Sequence, residues 1–146
     1  MPEGTSTEKI LIVEDNPPNM RLIEITLRSQ GYTLLQATDG EEALAKAMGE
    51  RPDLIIMDIQ LPKVNGLEVT RRLRVTQGFS RIPIIAVTAY AMKGDGEKAI
   101  KAGCDTYVSK PINTRQLPGV VTEMLRRGEN NSSIDGDGDG KENPCC

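Results

Sequence analysis

Residues 54–58 read Leu54-Ile55-Ile56-Met57-Asp58, four apolar side chains closed by a carboxylate. An unbroken apolar run of this length suits a strand buried on both faces of a parallel sheet. Outward from it, Ile10-Leu11-Ile12-Val13, Tyr32-Thr33-Leu34-Leu35, Ile82 to Val87 and Thr106-Tyr107-Val108 read as four further short strands. The stretches between them carry helix signals. Asn16-Pro17-Pro18 opens the first, with proline where a first-turn N–H has no intrahelical partner. Met20, Ile23 and Leu27 fall on one side of that helix, Arg21, Glu24 and Arg28 on the other, and Gly31 stops it. Asp39 with Glu42, and Asn65 with Glu68, have the spacing of variant capping boxes. Asn113 is placed to cap the last helix, and Pro118-Gly119 moves its expected start to about Leu117.

Five βα units with short connections predict an α/β domain built on a doubly wound, five-stranded parallel sheet. Right-handed crossovers put helices on both faces, and ligands bind outside the carboxyl ends of the strands. Function is therefore to be sought just after each strand.

Composition narrows the chemistry. The 146 residues suffice for one domain of ordinary size. Net charge is −3, which does not suit a general nucleic-acid or anionic-membrane binder. There is no histidine, so His-based acid/base catalysis, His-ligated metals and Ser-His-Asp triads are all excluded. No apolar run approaches the ~18–20 residues of a membrane span, and Met1 to Lys9 lacks the apolar core of a signal peptide. Three cysteines, two of them Cys145-Cys146, give neither a disulfide framework nor zinc spacing, so a cytoplasmic location is expected.

The first strand ends in Glu14-Asp15, the third in Asp58, the fourth in Thr88 and the fifth in Lys110. Three carboxylates, a hydroxyl and an ammonium would converge on one crevice. Packed carboxylates repel one another unless a cation sits among them, and a sparse all-oxygen set suits Mg2+ better than Ca2+. Asp58, at a strand tip, is placed to act as a nucleophile, and phosphoryl transfer asks chiefly for positioning and charge neutralisation. Taken singly, Glu14-Asp15 reads as a solvated acidic pair, Asp58 as a helix cap and Thr88 as a residue that fits a strand. Taken jointly, four of five predicted strands end in the residue type such a site requires.

Val13-Glu14-Asp15-Asn16, Leu54 to Asp58, Leu61-Pro62 with Asn65-Gly66, Val87-Thr88-Ala89, and Gly103-Cys104-Asp105 through Tyr107-Val108-Ser109-Lys110-Pro111 resemble the response-regulator receiver domain. The resemblance covers about Glu8 to Arg127, and Ala86 to Asp95 is most similar to stand-alone regulators of the DivK type. It implies a flavodoxin/CheY-like strand order of 2-1-3-4-5. It implies that Asp58 takes a phosphoryl group from a histidine kinase or a histidine phosphotransfer protein. Mg2+ would be held by Asp15, Asp58 and the backbone carbonyl of Gln60, with Glu14 acting directly or through water. Lys110 would contact the phosphoryl oxygens, and its bond to Pro111 would be cis. Thr88 and Tyr107 would form the switch, and the output surface would be the fourth helix, fifth strand and fifth helix. Gln60 and Tyr90 would tune water access, and Ile25 would be a minor kinase contact. The module would signal rather than turn over substrate, binding neither nucleic acid nor membrane, as a monomer or a weak phosphorylation-dependent dimer.

Other features are read more plainly. Residues 1–7, and the Gly/Asn/Ser/Asp-rich chain from Gly128 to Cys146, are expected to be disordered. The run Asp135 to Gly140 imitates the front of an EF-hand loop, but Cys146 would fall where a bidentate carboxylate is needed. Gly94 and Gly96 weaken the start of the fourth helix by about 1 kcal/mol each relative to Ala, which makes that element a candidate to reorganise or a plain surface turn. Cys104 reads as a small buried filler. A haloacid-dehalogenase-like phosphotransferase would need a second aspartate where Gln60 stands. A flavodoxin-like FMN carrier would need a phosphate-cradling first loop, and Asn16-Pro17-Pro18-Asn19 is not one.

Overall fold

The computed structural model describes residues 8–61, 65–89 and 94–133. Its elements run β1 (Lys9–Val13), α1 (Pro17–Arg28), β2 (Thr33–Ala37), α2 (Gly40–Glu50), β3 (Leu54–Asp58), α3 (Gly66–Arg74), β4 (Ile84–Thr88), α4 (Asp95–Ala102), β5 (Thr106–Ser109) and α5 (Leu117–Ser133). The five strands form one parallel sheet in the order β2-β1-β3-β4-β5, as expected.

Alternate side chains of the central strands enter two separate cores, as a two-residue repeat requires. Leu11, Val13, Ile55, Met57, Ile84 and Ala86 pack with Ala43 and Ala47 of α2, Val69 and Leu73 of α3, and Ala99 of α4. Ile10, Ile12, Leu54, Ile56, Ile85 and Val87 pack with Met20, Ile23 and Leu27 of α1 and with Leu117, Val121 and Met124 of α5. Full burial of each such Leu, Ile, Val or Met side chain is worth about 1.5–3 kcal/mol. The sheet is therefore covered on both faces, and its carboxyl edge is the place left for a site. Among the described residues no helix is long and apolar enough to cross a membrane.

Local signals act where they were read, with some differences. Asn16 accepts a hydrogen bond from the Asn19 amide, with proline in the first positions of α1. Asp39 caps α2 through the Glu42 amide, while the Glu42 carboxylate reaches back to the amide of Thr38, one residue before the cap. Asn65 caps α3, but the Glu68 carboxylate turns to Arg71 and Arg72, so that box is half formed. β4 begins at Ile84 and not Ile82. Pro83 has no N–H to donate, and the Ile82 carbonyl is taken by Arg74. Asn113 accepts from the amides of Arg115 and Gln116, closing a turn that leads into α5 at Leu117.

α5 continues through residues 128–133, past the compositional break at Gly128 where disorder was expected to begin. Extending an existing helix costs far less than nucleating one, so the packed turns before Gly128 carry the polar residues after it. Residues 1–7 and 134–146, with the EF-hand-like run and Cys145-Cys146, lie outside the described residues, as does Tyr90.

Candidate functional site

Glu14 and Asp15 follow β1, Asp58 closes β3, and Lys110 follows β5. β1 is paired directly with β3, Val13 lying opposite Met57, so the acidic residues that follow are neighbours by register. One carboxylate oxygen from each of Glu14, Asp15 and Asp58 lies within 4.8 Å of the others. Glu14 and Asp58 are each 1% exposed, whereas Asp15 faces solvent.

Lys110 reaches this cluster because its amide donates to the Thr88 carbonyl at 2.9 Å, which extends the β4–β5 ladder past Ser109. The Lys110–Pro111 peptide is cis. Nζ donates to Oδ2 of Asp58 at 3.0 Å and stands 3.5 Å from Oε2 of Glu14. The Gln60 amide donates to the other Asp58 oxygen, Oδ1, at 2.9 Å. Glu14 Oε2 accepts from the Asn16 amide at 3.2 Å, but Glu14 Oε1 is buried with no hydrogen-bond partner among the described residues.

The electrostatics follow from this packing. Burial pushes the Glu14 carboxyl up to about 7, and the charge of Asp58 pushes the same way; Lys110 and the Asn16 amide oppose them. Burial works against the Lys110 ammonium, yet its bond to Asp58 and the charges of Asp58 and Glu14 outweigh this and raise its pKa. One lysine cannot fully compensate three clustered carboxylates. A buried carboxylate oxygen without a donor, in an all-oxygen set with an open side at Asp15, fits a hard divalent cation that keeps part of its water shell.

The two predicted switch residues both contact the first turn of α4. The Thr88 side chain is buried, and its hydroxyl donates to Oδ2 of Asp95, on α4, at 3.4 Å. Tyr107 is 42% exposed and lies outward against α4. The structure thus brings together Glu14, Asp15, Asp58 and Lys110, with Gln60 beside them through its amide, and leaves Thr88 and Tyr107 engaged with the first turn of α4.

Two features, one at the site and one at the opposite edge of the sheet, were not read from the sequence. Gly66 lies so close to β3 that a Cβ there would stand 2.4 Å from the Asp58 carbonyl oxygen and 2.6 Å from Ile59 Cα. Its amide donates to the Ile59 carbonyl at 3.1 Å, so α3 begins directly under the loop that carries Gln60. The Asn65-Gly66 pair was the available signal, but only Asn65 has a reading as a cap. The second is Arg74, whose guanidinium donates to the carbonyls of Gly103, Phe79 and Ile82 and pairs with Asp105 at 2.9 Å. It ties the end of α3 to the entries of β4 and β5.

A doubly wound sheet with paired buried carboxylates, a strand-end aspartate and a lysine on that aspartate defines a class, and the family comparison agrees. The model of the response regulator receiver domain matches residues 10–122, and the chain belongs to that family. Within it, the chain is 50% identical to the polar-differentiation response regulator DivK of Brucella ovis over 119 residues, 82% of this chain and 97% of that protein. The DivK of Brucella anthropi is 50% identical over 118 residues, 81% of this chain and 96% of that one. Among solved structures, the receiver domain of a Pseudomonas aeruginosa sensor histidine kinase, with magnesium coordinated in its active-site cleft, is 39% identical with a TM-score of 0.77. That likeness covers 82% of this chain and 98% of that one. The chemotaxis response regulator CheY4 of Vibrio cholerae is 28% identical at the same TM-score, covering 82% of this chain and 99% of that one.

Proposed function

We propose that the chain is a stand-alone response regulator that accepts a phosphoryl group on Asp58 and signals by a change of surface. The observation that carries this is the pair of buried carboxylates, Glu14 and Asp58, bridged by Lys110 and left one donor short at Glu14 Oε1. A charge arrangement this costly to bury is better suited to chemistry than to stability.

Asp15 and Asp58 would hold Mg2+ together with the Gln60 carbonyl, with Glu14 beside them, as the magnesium in the Pseudomonas receiver domain also suggests. Bound there, the ion supplies charge neutralisation for the incoming phosphoryl oxygens. An Asp58 carboxylate oxygen attacks phosphorus while the bond from phosphorus to the donor's histidine nitrogen breaks. The product is an aspartyl phosphate, and the imidazole leaves with the electron pair. Lys110, already on Asp58 Oδ2, follows the negative charge onto the phosphoryl oxygens. Thr88 then exchanges Asp95 for a phosphoryl oxygen, and Tyr107 turns inward, biasing an equilibrium that exists before phosphorylation.

The donor, a histidine kinase or histidine phosphotransfer protein of the cytosol, would dock on α1. Pro17, Pro18, Arg21, Leu22 and the exposed Ile25 line a groove of about 460 Å³ just beyond Asp15. The output face would be α4, β5 and α5, where Ile100 and Tyr107 are exposed. A stand-alone role is supported by the 97% coverage of the Brucella ovis DivK.

The test is incubation with a small phosphodonor such as acetyl phosphate. With Mg2+ the intact mass should rise by one phosphoryl group, and it should not rise with EDTA or in Asp58→Asn. Equal labelling with and without the metal would overturn the reading.

A further inference from the structure

Position 96 lies in the first turn of α4 and is buried, yet it is occupied by glycine. A Cβ built there would stand 2.5 Å from Cζ of Tyr107 and 2.7 Å from each of Cε1 and Cε2. Three nearly equal distances put that point over the face of the phenol ring and not at its edge. The ring therefore lies flat across the backbone of Gly96, in space that any other residue would fill. No real Cβ tolerates such contacts, and the atoms it would meet are the free end of a side chain. Faced with a methyl group at 96, the ring must leave and the backbone can stay.

We propose that Gly96 is the seat that holds Tyr107 outward, so that the missing side chain at 96 sets the resting bias of the switch. This rests on the reading of Thr88 and Tyr107 given above. The neighbouring residue completes the device, because Asp95 accepts the Thr88 hydroxyl. One turn of helix, Asp95-Gly96, thus engages both side chains, the hydroxyl through a carboxylate and the ring through a notch. Gly94 precedes them as the N-cap, with φ +93°, and no side chain there caps the helix. A turn entered through a left-handed glycine and lacking a side-chain cap is inexpensive to rearrange. Gly96 is a positioning residue: it acts only through Tyr107.

The experiment compares wild type with Gly96→Ala, both labelled with 3-fluorotyrosine. The chain has three tyrosines, and Tyr107→Phe identifies the resonance of interest. Beryllofluoride with Mg2+ gives the activated reference in the wild type. In unphosphorylated Gly96→Ala the Tyr107 resonance should move from the wild-type resting position toward the activated one, and labelling by acetyl phosphate should rise at least ~3-fold. An unmoved resonance, or one that moves to neither position, overturns the seat. Should the wild type ignore beryllofluoride, the phosphoacceptor reading fails; the seat is then decided by the double-mutant cycle that follows.

A Gly→Ala change at a position whose backbone alanine can adopt ordinarily stabilises, by restricting the unfolded chain. Gly96→Ala should therefore raise the melting temperature in a Tyr107→Leu background and raise it less, or lower it, in the wild type. Equal effects in the two backgrounds would show that 96 and 107 are uncoupled, which contradicts the proposal.

Discussion

Lys110 donates from Nζ to Oδ2 of Asp58 at 3.0 Å, joining the end of the edge strand β5 to the end of the central strand β3. The same ammonium lies 3.5 Å from Glu14, so one cation serves two carboxylates that are each 1% exposed. Removing it leaves both without a counterion among the described residues. Lys110→Met should destabilise the metal-free protein by about 1–3 kcal/mol at neutral pH, below the full cost for a buried pair because the lysine is partly exposed. Denaturant unfolding measures this, and saturating Mg2+ should return part of the loss by binding the native state. A variant as stable as wild type without metal would show that the pair is not a native-state contact.

Glu14 gives the metal-free protein a pH dependence opposite to that of most paired carboxylates. Its carboxyl lies at about 7 in the folded protein against 4.5 for the ordinary group. Between those values the folded state holds a proton that the unfolded state has released, so stability falls as pH rises through the window. The loss is complete above about pH 7, and the shift sets its ceiling at roughly 3 kcal/mol. Unfolding from pH 4.5 to 8 in EDTA should show this slope relative to Glu14→Gln, which lacks it. Adding Mg2+ should flatten the wild-type slope, because the cation takes the proton's place. Parallel curves for wild type and Glu14→Gln would contradict the burial argument.

Two glycines separate a steric requirement from a conformational one. Gly66→Ala would press a methyl group on the Asp58 carbonyl, and overpacking against backbone costs about 1–3 kcal/mol. It should also weaken Mg2+ binding, since the loop that must yield carries Gln60. Gly49, in the last turn of α2, has open space where its Cβ would lie, and Gly49→Ala should stabilise by about 0.5–1 kcal/mol. Thermal unfolding and magnesium titration of both variants check the contrast. A Gly66→Ala protein with wild-type stability and affinity would remove α3 from the positioning of the site.

The fold was legible because the decisive signals are local. Five apolar runs, the caps at Asn16, Asp39 and Asn65, and Pro17 each fix their own element, and the observed elements follow them to within a few residues. The four-residue cluster was legible for a related reason: a parallel sheet brings strand ends to one edge, so Glu14, Asp15, Asp58 and Lys110 can be collected without knowing any distance. What escaped was long-range and specific. Arg74 carries no local signal that sets it apart from other basic helix residues, and its partners at Gly103 and Asp105 lie 29 and 31 residues away. Gly96 read as a weak spot in a helix, because nothing local says that a tyrosine from β5 rests on it. Composition reports the preferences of isolated residues and not helix cooperativity, so it gives no sign that α5 runs on to Ser133.

Locating the phosphoryl group within the chain tests the whole scheme most directly. Protein treated with acetyl phosphate and Mg2+ is reduced with borohydride, which converts an acyl phosphate to an alcohol, and is then mapped by peptide mass spectrometry. The peptide spanning β3 should carry homoserine at position 58 and no other acidic residue should be reduced. Reduction at Glu14 or Asp15 instead, or an unreduced Asp58 in protein that has gained phosphate, would contradict it.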